Sequence, residues 1–435
     1  MEVKIKTKEA TAIINSLSSG VVPNLGIQHI TVGRKLEIEA ITSILKDIKE
    51  GHSMMKFWIG DFGSGKSFML HLLNTIAIKH KFVVSKTDFT PDNRIYSNDG
   101  KAVALYKSIM DNISIQTKPD GGALSTLLDK WIESIIIKTA QTNNIPLTEI
   151  KDEKYIELIQ DNIMCTVNEV TTTGSFDFGI VIIKYYEGYI TNDDQLKRSA
   201  LKWLKGEFRT RTEARQDLGV RDIINDLNFY DMLKNFCSLF VSIGYSGFII
   251  NLDEAVNLYK LSQSTTRAKN YEKILSIYND CYQGRISNMF INIAGTREFL
   301  ESERRGLFSY DALKTRLISN KYETLEIRDF SQPVLKLLPL NNSEIFVLLN
   351  KLKEIFNFHY GVSINITDED IRTFMEEMFN KPGADEFLTP REVIRDFLNI
   401  LSILRQNPEV KKSDLISKIE IVDERPNNFE SIEEI

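Results

Sequence analysis

Residues 60–67 read Gly-Asp-Phe-Gly-Ser-Gly-Lys-Ser. Gly60, then Gly65, Lys66 and Ser67 at this spacing suit a chain that holds phosphates. Glycine lets the backbone curl until successive N–H groups converge on one anion. A helix beginning at the lysine turns its positive end toward the same anion. In such a site Lys66 bridges the β- and γ-phosphates and the Ser67 hydroxyl ligates magnesium. The backbone from Gly60 through Asp61, Phe62, Gly63, Ser64 and Gly65 to Phe68 supplies the cradle. An apolar run, "MMKFWIG", precedes the loop, and a helical pattern from about Lys66 to Lys79 follows it. That is the strand–loop–helix context the chemistry requires.

A second chemical segment is "GFIINLDE", a buried strand that ends in Asp253 and Glu254. An aspartate at that edge holds magnesium through water, and a glutamate beside it polarises the attacking water. The glycine loop comes first and the Asp-Glu strand later, as in ATPases with a catalytic glutamate. No guanine-reading NKxD pattern stands out. ATP and Mg2+ are therefore the expected cofactors. Thr296 closes another apolar run, "MFINIAGT", and is either a sensor of the γ-phosphate or an ordinary strand end. In "FLTPREVIRDFL", Pro390 suits the first position of a helix. Arg391 then falls in the first turn, where a cation opposes the helix dipole. Nucleotide phosphates would compensate it; a plain exposed arginine is the alternative. Arg304, Arg305 and Arg316 are candidates to reach a neighbouring subunit's γ-phosphate, each also open to the reading of a surface arginine. Arg316 is favoured because it closes the helix-like "YDALKTR" that comes after the sensing strand.

These residues need a scaffold. Strand, loop, helix and a second strand, "KFVVSKTDF", open a parallel α/β sheet. Helical runs fill about 100–240, too long for a simple connection, so this is read as an insertion before the acidic strand. "MFINIAGT" and "YETLEIRDF" are expected as further strands, with the helix "KNYEKILSIYNDCYQG" between "GFIINLDE" and "MFINIAGT". Helical patterns return after about 331. The expected organisation is a lead-in over 1–50, a core over 51–330, a helical lid over 331–410 and a charged tail over 411–435, in which "DLISKIEIV" could dock.

The 435 residues are 42% hydrophobic and 26% charged, an ordinary globular balance. No apolar run reaches the length of a membrane span, and the N-terminus lacks the pattern of a secretory signal. Cys165, Cys237 and Cys281 are widely spaced and read as reduced thiols of a cytoplasmic protein. The net charge of −6 argues against a chain-wide grip on nucleic acid. One local candidate for DNA is "KWLKGEFRTRTEAR", with Lys202, Lys205, Arg209, Arg211 and Arg215 around Trp203 and Phe208. Glu207 and Glu213 dilute it, and a solvated helix face is the favoured reading.

Taken together, "SGVVPNLGIQHITVGRKLEIEAI", "FWIGDFGSGKSFML", "ALKWLKGE", "FIINLDEAVNL", "NYEKILSIYND", "AGTREFLE", "GLFSYDALKTRL" and "LTPREVIRDFL" resemble the ATP-binding proteins of BREX-type bacterial phage-defence systems, relatives of origin-recognition-like AAA+ ATPases. The matching blocks run from about 18 to 400. The resemblance implies an AAA+ phosphate-loop core with a helical lid and insertion. It implies ATP hydrolysis coupled to remodelling or signalling on DNA, beside partners such as a helicase or modification enzyme; the AAA+-type features read above fit a homo-oligomer. It also implies that Val32, Gly33 and Arg34 lie by the adenine. A nucleotide-dependent assembly switch with slow hydrolysis is the competing expectation. The chain departs from origin-recognition-like proteins after "NILSILRQNPEV", where too few residues follow for a complete winged helix.

Overall fold

The computed structural model describes residues 5–150, 152–170, 175–323, 328–380 and 389–416. By packing the chain forms two units. The larger comprises Leu36–Asp61 and Lys66–Leu337; the smaller comprises Met1–Lys35, Phe62–Gly65 and Leu338–Ile435.

The larger unit is α/β, built on a five-stranded sheet. Its strands are β1 (Met54–Ile59), β2 (Val83–Asp88), β3 (Phe248–Asp253), β4 (Met289–Gly295) and β5 (Val334–Lys336), in the spatial order β2-β3-β4-β1-β5. All the pairings are parallel. Every residue of β3 and β4 is buried, as expected when helices cover both faces of a parallel sheet. This explains why their sequences are continuous apolar runs without alternation. The polar residues inside the sheet are satisfied in specific ways. Trp58 donates through Nε1 to Asn292 Oδ1 at 2.9 Å. Lys56, 2% exposed, donates to the carbonyls of Phe330, Ser331 and Gln332 at 3.2, 2.6 and 2.7 Å.

The helix Lys66–Lys79 follows β1. Between β2 and β3 run the helices Lys101–Asp111, Leu124–Thr142, Ile156–Val170, Ser175–Thr191, Asp194–Leu204, Arg211–Leu218 and Phe229–Ser242. They share a core that includes Trp131, Phe178, Tyr185 and Phe236. Between β3 and β4 come the short helix Val256–Tyr259 and the long helix Ser264–Tyr282, the latter starting earlier than its sequence pattern suggests.

The expected strand "YETLEIRDF" is not the last strand of the sheet. Its residues 324–327 lie outside the described residues, and Arg328–Phe330 carry no strand. Asp329 instead accepts from the Ser331 and Gln332 side chains at 2.6 and 2.7 Å, forming a turn ahead of Pro333 and the three-residue β5.

In the smaller unit, Thr7–Ser18 packs on Asn342–Tyr360 and on Pro390–Gln406. Capping boxes start three of its helices: Asn341 with Glu344, Thr367 with Asp370, and Thr389 with Glu392. Of the segment "DLISKIEIV", the part within the short helix Lys412–Ile416 is described; residues 417–435 lie outside the described residues. Cys237 and Cys281 are buried and Cys165 is exposed, all three as free thiols.

Candidate functional site

In the larger unit, β1, β4 and β3 are consecutive neighbours, and their C-terminal ends form one edge. The register sets Ile59 opposite Gly295, and Leu252 opposite Ile293. Gly60, Thr296 and the Asp253–Glu254 pair therefore emerge at nearly one level, with strands about 4.8 Å apart. Such an edge is where open parallel sheets place ligands.

Lys66 opens the helix at this edge and donates to the carbonyls of Gly60 and Asp61 at 2.9 and 2.8 Å. Burial pulls its ammonium below the ordinary lysine range, offset in part by the charges of Asp253, Glu254, Asp61 and Glu298. Asp61 pairs with Arg297 at 3.0 Å. Ser67 and Phe68 are half-buried in the first helical turn.

Asp253 is buried. Its Oδ1 accepts the Glu254 N–H at 2.9 Å, and its Oδ2 lies 3.4 Å from Lys86 Nζ. Glu254 has φ 56, the left-handed region that a non-glycine residue seldom adopts. This turn ends the strand sharply and gives Asp253 its backbone partner. Burial, then the charges of Asp253 and Asp88, raise the Glu254 carboxyl above the usual glutamate range. Thr296 is the N-cap of the short helix Arg297–Glu301, its hydroxyl accepting the Phe299 N–H at 3.3 Å.

Three residues of this edge carry no signal in the sequence motifs. Lys86 and Asp88 lie on β2, with Asp88 opposite Asp253 in the register. His71, on Lys66–Lys79, is pushed down to about 4 by burial and then by Lys86, so it is neutral at pH 7. The one available clue was the polar tail of an otherwise apolar strand, "VVSKTD".

Within the smaller unit, Gly63 has φ 79 and Gly65 φ 90. A Cβ on Gly63 would lie 2.7 Å from Thr389 Cβ, so only glycine fits both the conformation and the space. The Ser64 hydroxyl is buried with no hydrogen-bond partner. The Ser64 carbonyl accepts from Arg34 at 3.1 Å, and Arg34 also donates to the Leu338 carbonyl at 2.9 Å. Gly33, at φ 68, lies where a Cβ would overlap the Glu344 carboxylate; Val32 is half-buried. Arg391 is exposed on the helix headed by Thr389 and Pro390, its guanidinium 5.6 Å from the Phe62 ring centre.

In the smaller unit an orphaned buried hydroxyl and two left-handed glycines suit an anionic ligand; in the larger unit, taken by itself, a lysine at a helix start suits one too. Among the described residues no cluster of three or more His, Cys, Asp or Glu is drawn together to hold a metal ion. Magnesium would therefore need phosphate oxygens to complete a site offered by Ser67 and Asp253.

Arg316 is exposed and donates to Asn279 Oδ1 at 3.2 Å and to the Ala312 carbonyl at 2.7 Å. Arg305 is held by the Leu261 carbonyl at 3.2 Å and over the Tyr259 ring; Arg304 is exposed. The basic segment is not a stacking platform. Trp203 and Phe208 are buried, and Trp203 donates to the Asp222 carbonyl. Lys202 pairs with Glu213, Lys205 with Asp111 at 2.8 Å and Arg211 with Asp222 at 2.9 Å. Its aromatics serve the core, and three of its cations are neutralised inside the chain; Arg209 and Arg215 remain exposed.

No helix among the described residues is long and apolar enough to cross a membrane. A search of curated proteins returns no match. A family model described as BREX system ATP-binding protein BrxC/D matches residues 5–420.

Proposed function

Since the chain belongs to the BREX system ATP-binding proteins of the BrxC/D family, a family of phage-defence components, we propose that it is a magnesium-dependent ATPase of the phosphate-loop, AAA+ type. The observation that carries this reading is the shared edge of β1, β4 and β3, which gathers Lys66, Asp253 and Glu254 within one unit. Bound ATP–Mg2+ supplies the phosphoanhydride and the charge that activates it. Lys66 neutralises the β- and γ-oxygens, and the loop 60–68 donates its N–H groups to them. Ser67 and Asp253 hold the metal. Glu254 accepts the proton of the attacking water. Thr296, which directly follows the intervening strand β4, responds to the γ-phosphate in this reading. On the same reading Val32, Gly33 and Arg34 serve the adenine side, the helices after 331 are the helical lid domain, and Arg391 is the lid domain's candidate cation for the phosphates.

Lys66→Ala should lose nucleotide binding. Glu254→Gln should retain it and hydrolyse at least roughly a hundredfold more slowly. Equilibrium binding of a fluorescent ATP analogue and phosphate release would be measured on both. A normal rate in Glu254→Gln removes the general-base assignment.

Turnover drives remodelling of DNA or of partner proteins of the same defence system, a helicase among them, in a homo-oligomer. A second reading, a nucleotide-dependent assembly switch triggered by a protein, is favoured by one observation. The sole basic-aromatic DNA candidate of the sequence has its aromatics in the core. Turnover measured with and without single- and double-stranded DNA, at one stated salt concentration, separates the two: stimulation supports the DNA-coupled motor and indifference the switch.

A further inference from the structure

Lys86 is the cation nearest Asp253 and belongs to no motif. Its side chain extends from β2, with Nζ 3.4 Å from Asp253 Oδ2 and 4.0 Å from Asp88 Oδ1. The Asp253 side chain is only 4% exposed and that of Lys86 20%. Since Asp253 Oδ1 accepts the Glu254 N–H, each carboxylate oxygen has a fixed partner. The surroundings leave little freedom. His71, on the helix Lys66–Lys79, feels the charges of both Lys86 and Asp253, and Asn251 is bonded to Asn74 of that helix at 2.5 Å. Around one edge, then, stand two cations, Lys66 and Lys86, and three carboxylates, Asp88, Asp253 and Glu254.

A resident cation on a carboxylate has two consequences. It holds the carboxylate in one orientation, and it opposes the arrival of another cation. A divalent ion approaching the edge alone meets an Asp253 already charge-paired. One that arrives bound to phosphate oxygens brings compensating negative charge. We propose that Lys86 is a positioning residue for Asp253 and a built-in counter-charge that weakens the edge's hold on free divalent cations, so that the metal enters with the nucleotide. This rests on the reading that Asp253 faces the metal.

The test uses the full chain, nucleotide-free, with Mn2+ binding followed by electron paramagnetic resonance. Lys86→Met should bind free Mn2+ at least roughly tenfold more tightly than wild type, and Lys86→Arg should stay within about twofold of it. Equal or weaker Mn2+ binding by Lys86→Met overturns the proposal. Should that variant fail to fold, Lys86→Gln, which keeps an N–H donor without the charge, carries the same expectation. A purely structural lysine predicts no such gain in either variant. A parallel titration of a fluorescent ATP analogue, with and without Mg2+, tests the underlying reading. If Asp253→Asn gains as much affinity from Mg2+ as wild type, the metal role of Asp253 is what fails. If Asp253→Asn loses that gain while Lys86→Met leaves Mn2+ binding unchanged, only the role of Lys86 fails.

Discussion

Lys56 shows how a single residue can set a local pH response. It is buried in β1, and three successive carbonyls take its ammonium protons. Burial pushes it down to about 8, with Asp329 pulling the other way. Between about 8 and the ordinary value of 10.5 the unfolded chain therefore binds a proton that the folded chain does not. The stabilising contribution of this shift is present above about 10.5 and lost as pH falls through about 8. Relative to Lys56→Met, wild type should gain stability as pH rises through that window, as read by urea unfolding of both proteins at several pH values. A difference that is flat with pH would show that the three carbonyls hold the lysine charged throughout. At neutral pH the variant itself should be less stable than wild type by about 1–3 kcal/mol, since it strands buried carbonyls.

At the scale of elements, Trp203 separates a binding role from a structural one. It closes the helix Asp194–Leu204 into the core, and its indole N–H is bonded to the Asp222 carbonyl. Trp203→Ala should cost about 3–5 kcal/mol, measured by denaturant unfolding. Loss of DNA binding with stability intact would reverse that assignment. The strands β1 to β4 were legible because each is an apolar run beside glycine or charged breakers. Lys66–Lys79 was legible as the helix after the glycine loop. β5 was not legible: three residues after Pro333 are too short for any periodicity. Of the candidate site, the sequence displayed the segments that motif spacing constrains. Lys86, Asp88 and His71 were hidden because they come under the influence of Asp253 only through pairing of β2 with β3 and placement of the helix Lys66–Lys79. Trp203 and Phe208 were ambiguous because an aromatic among lysines looks alike in a groove and at a core margin.

For the whole molecule, the proposed assembly makes a concentration-dependent claim. Turnover per chain should rise with protein concentration if a neighbouring subunit completes the site. Arg316→Ala should then lower turnover by about a hundredfold or more while sparing nucleotide affinity. Turnover against concentration, with mass photometry on the same samples, checks both parts. Unchanged turnover in Arg316→Ala shifts the assignment to Arg304, which is exposed, before Arg305, which the Leu261 carbonyl and Tyr259 ring already hold.

The interleaved strand order also governs how the chain emerges during synthesis. Among the described residues β1 pairs with β4 and β5, and β2 pairs with β3 and, through one antiparallel bridge from Val84, with Ser114. Neither of the first two strands has a partner made before it, and β1 waits from Ile59 until Met289. At translation speeds of about 5–20 residues per second, that wait is roughly 10–50 seconds. Throughout it, the apolar strand that leads into the glycine loop is a nascent segment without a sheet. The helices from Lys101 to Ser242, made of local contacts, can fold in the meantime. The late strands then close an open edge, which makes fragments ending before β4 prone to aggregate and chaperone binding most valuable in that interval.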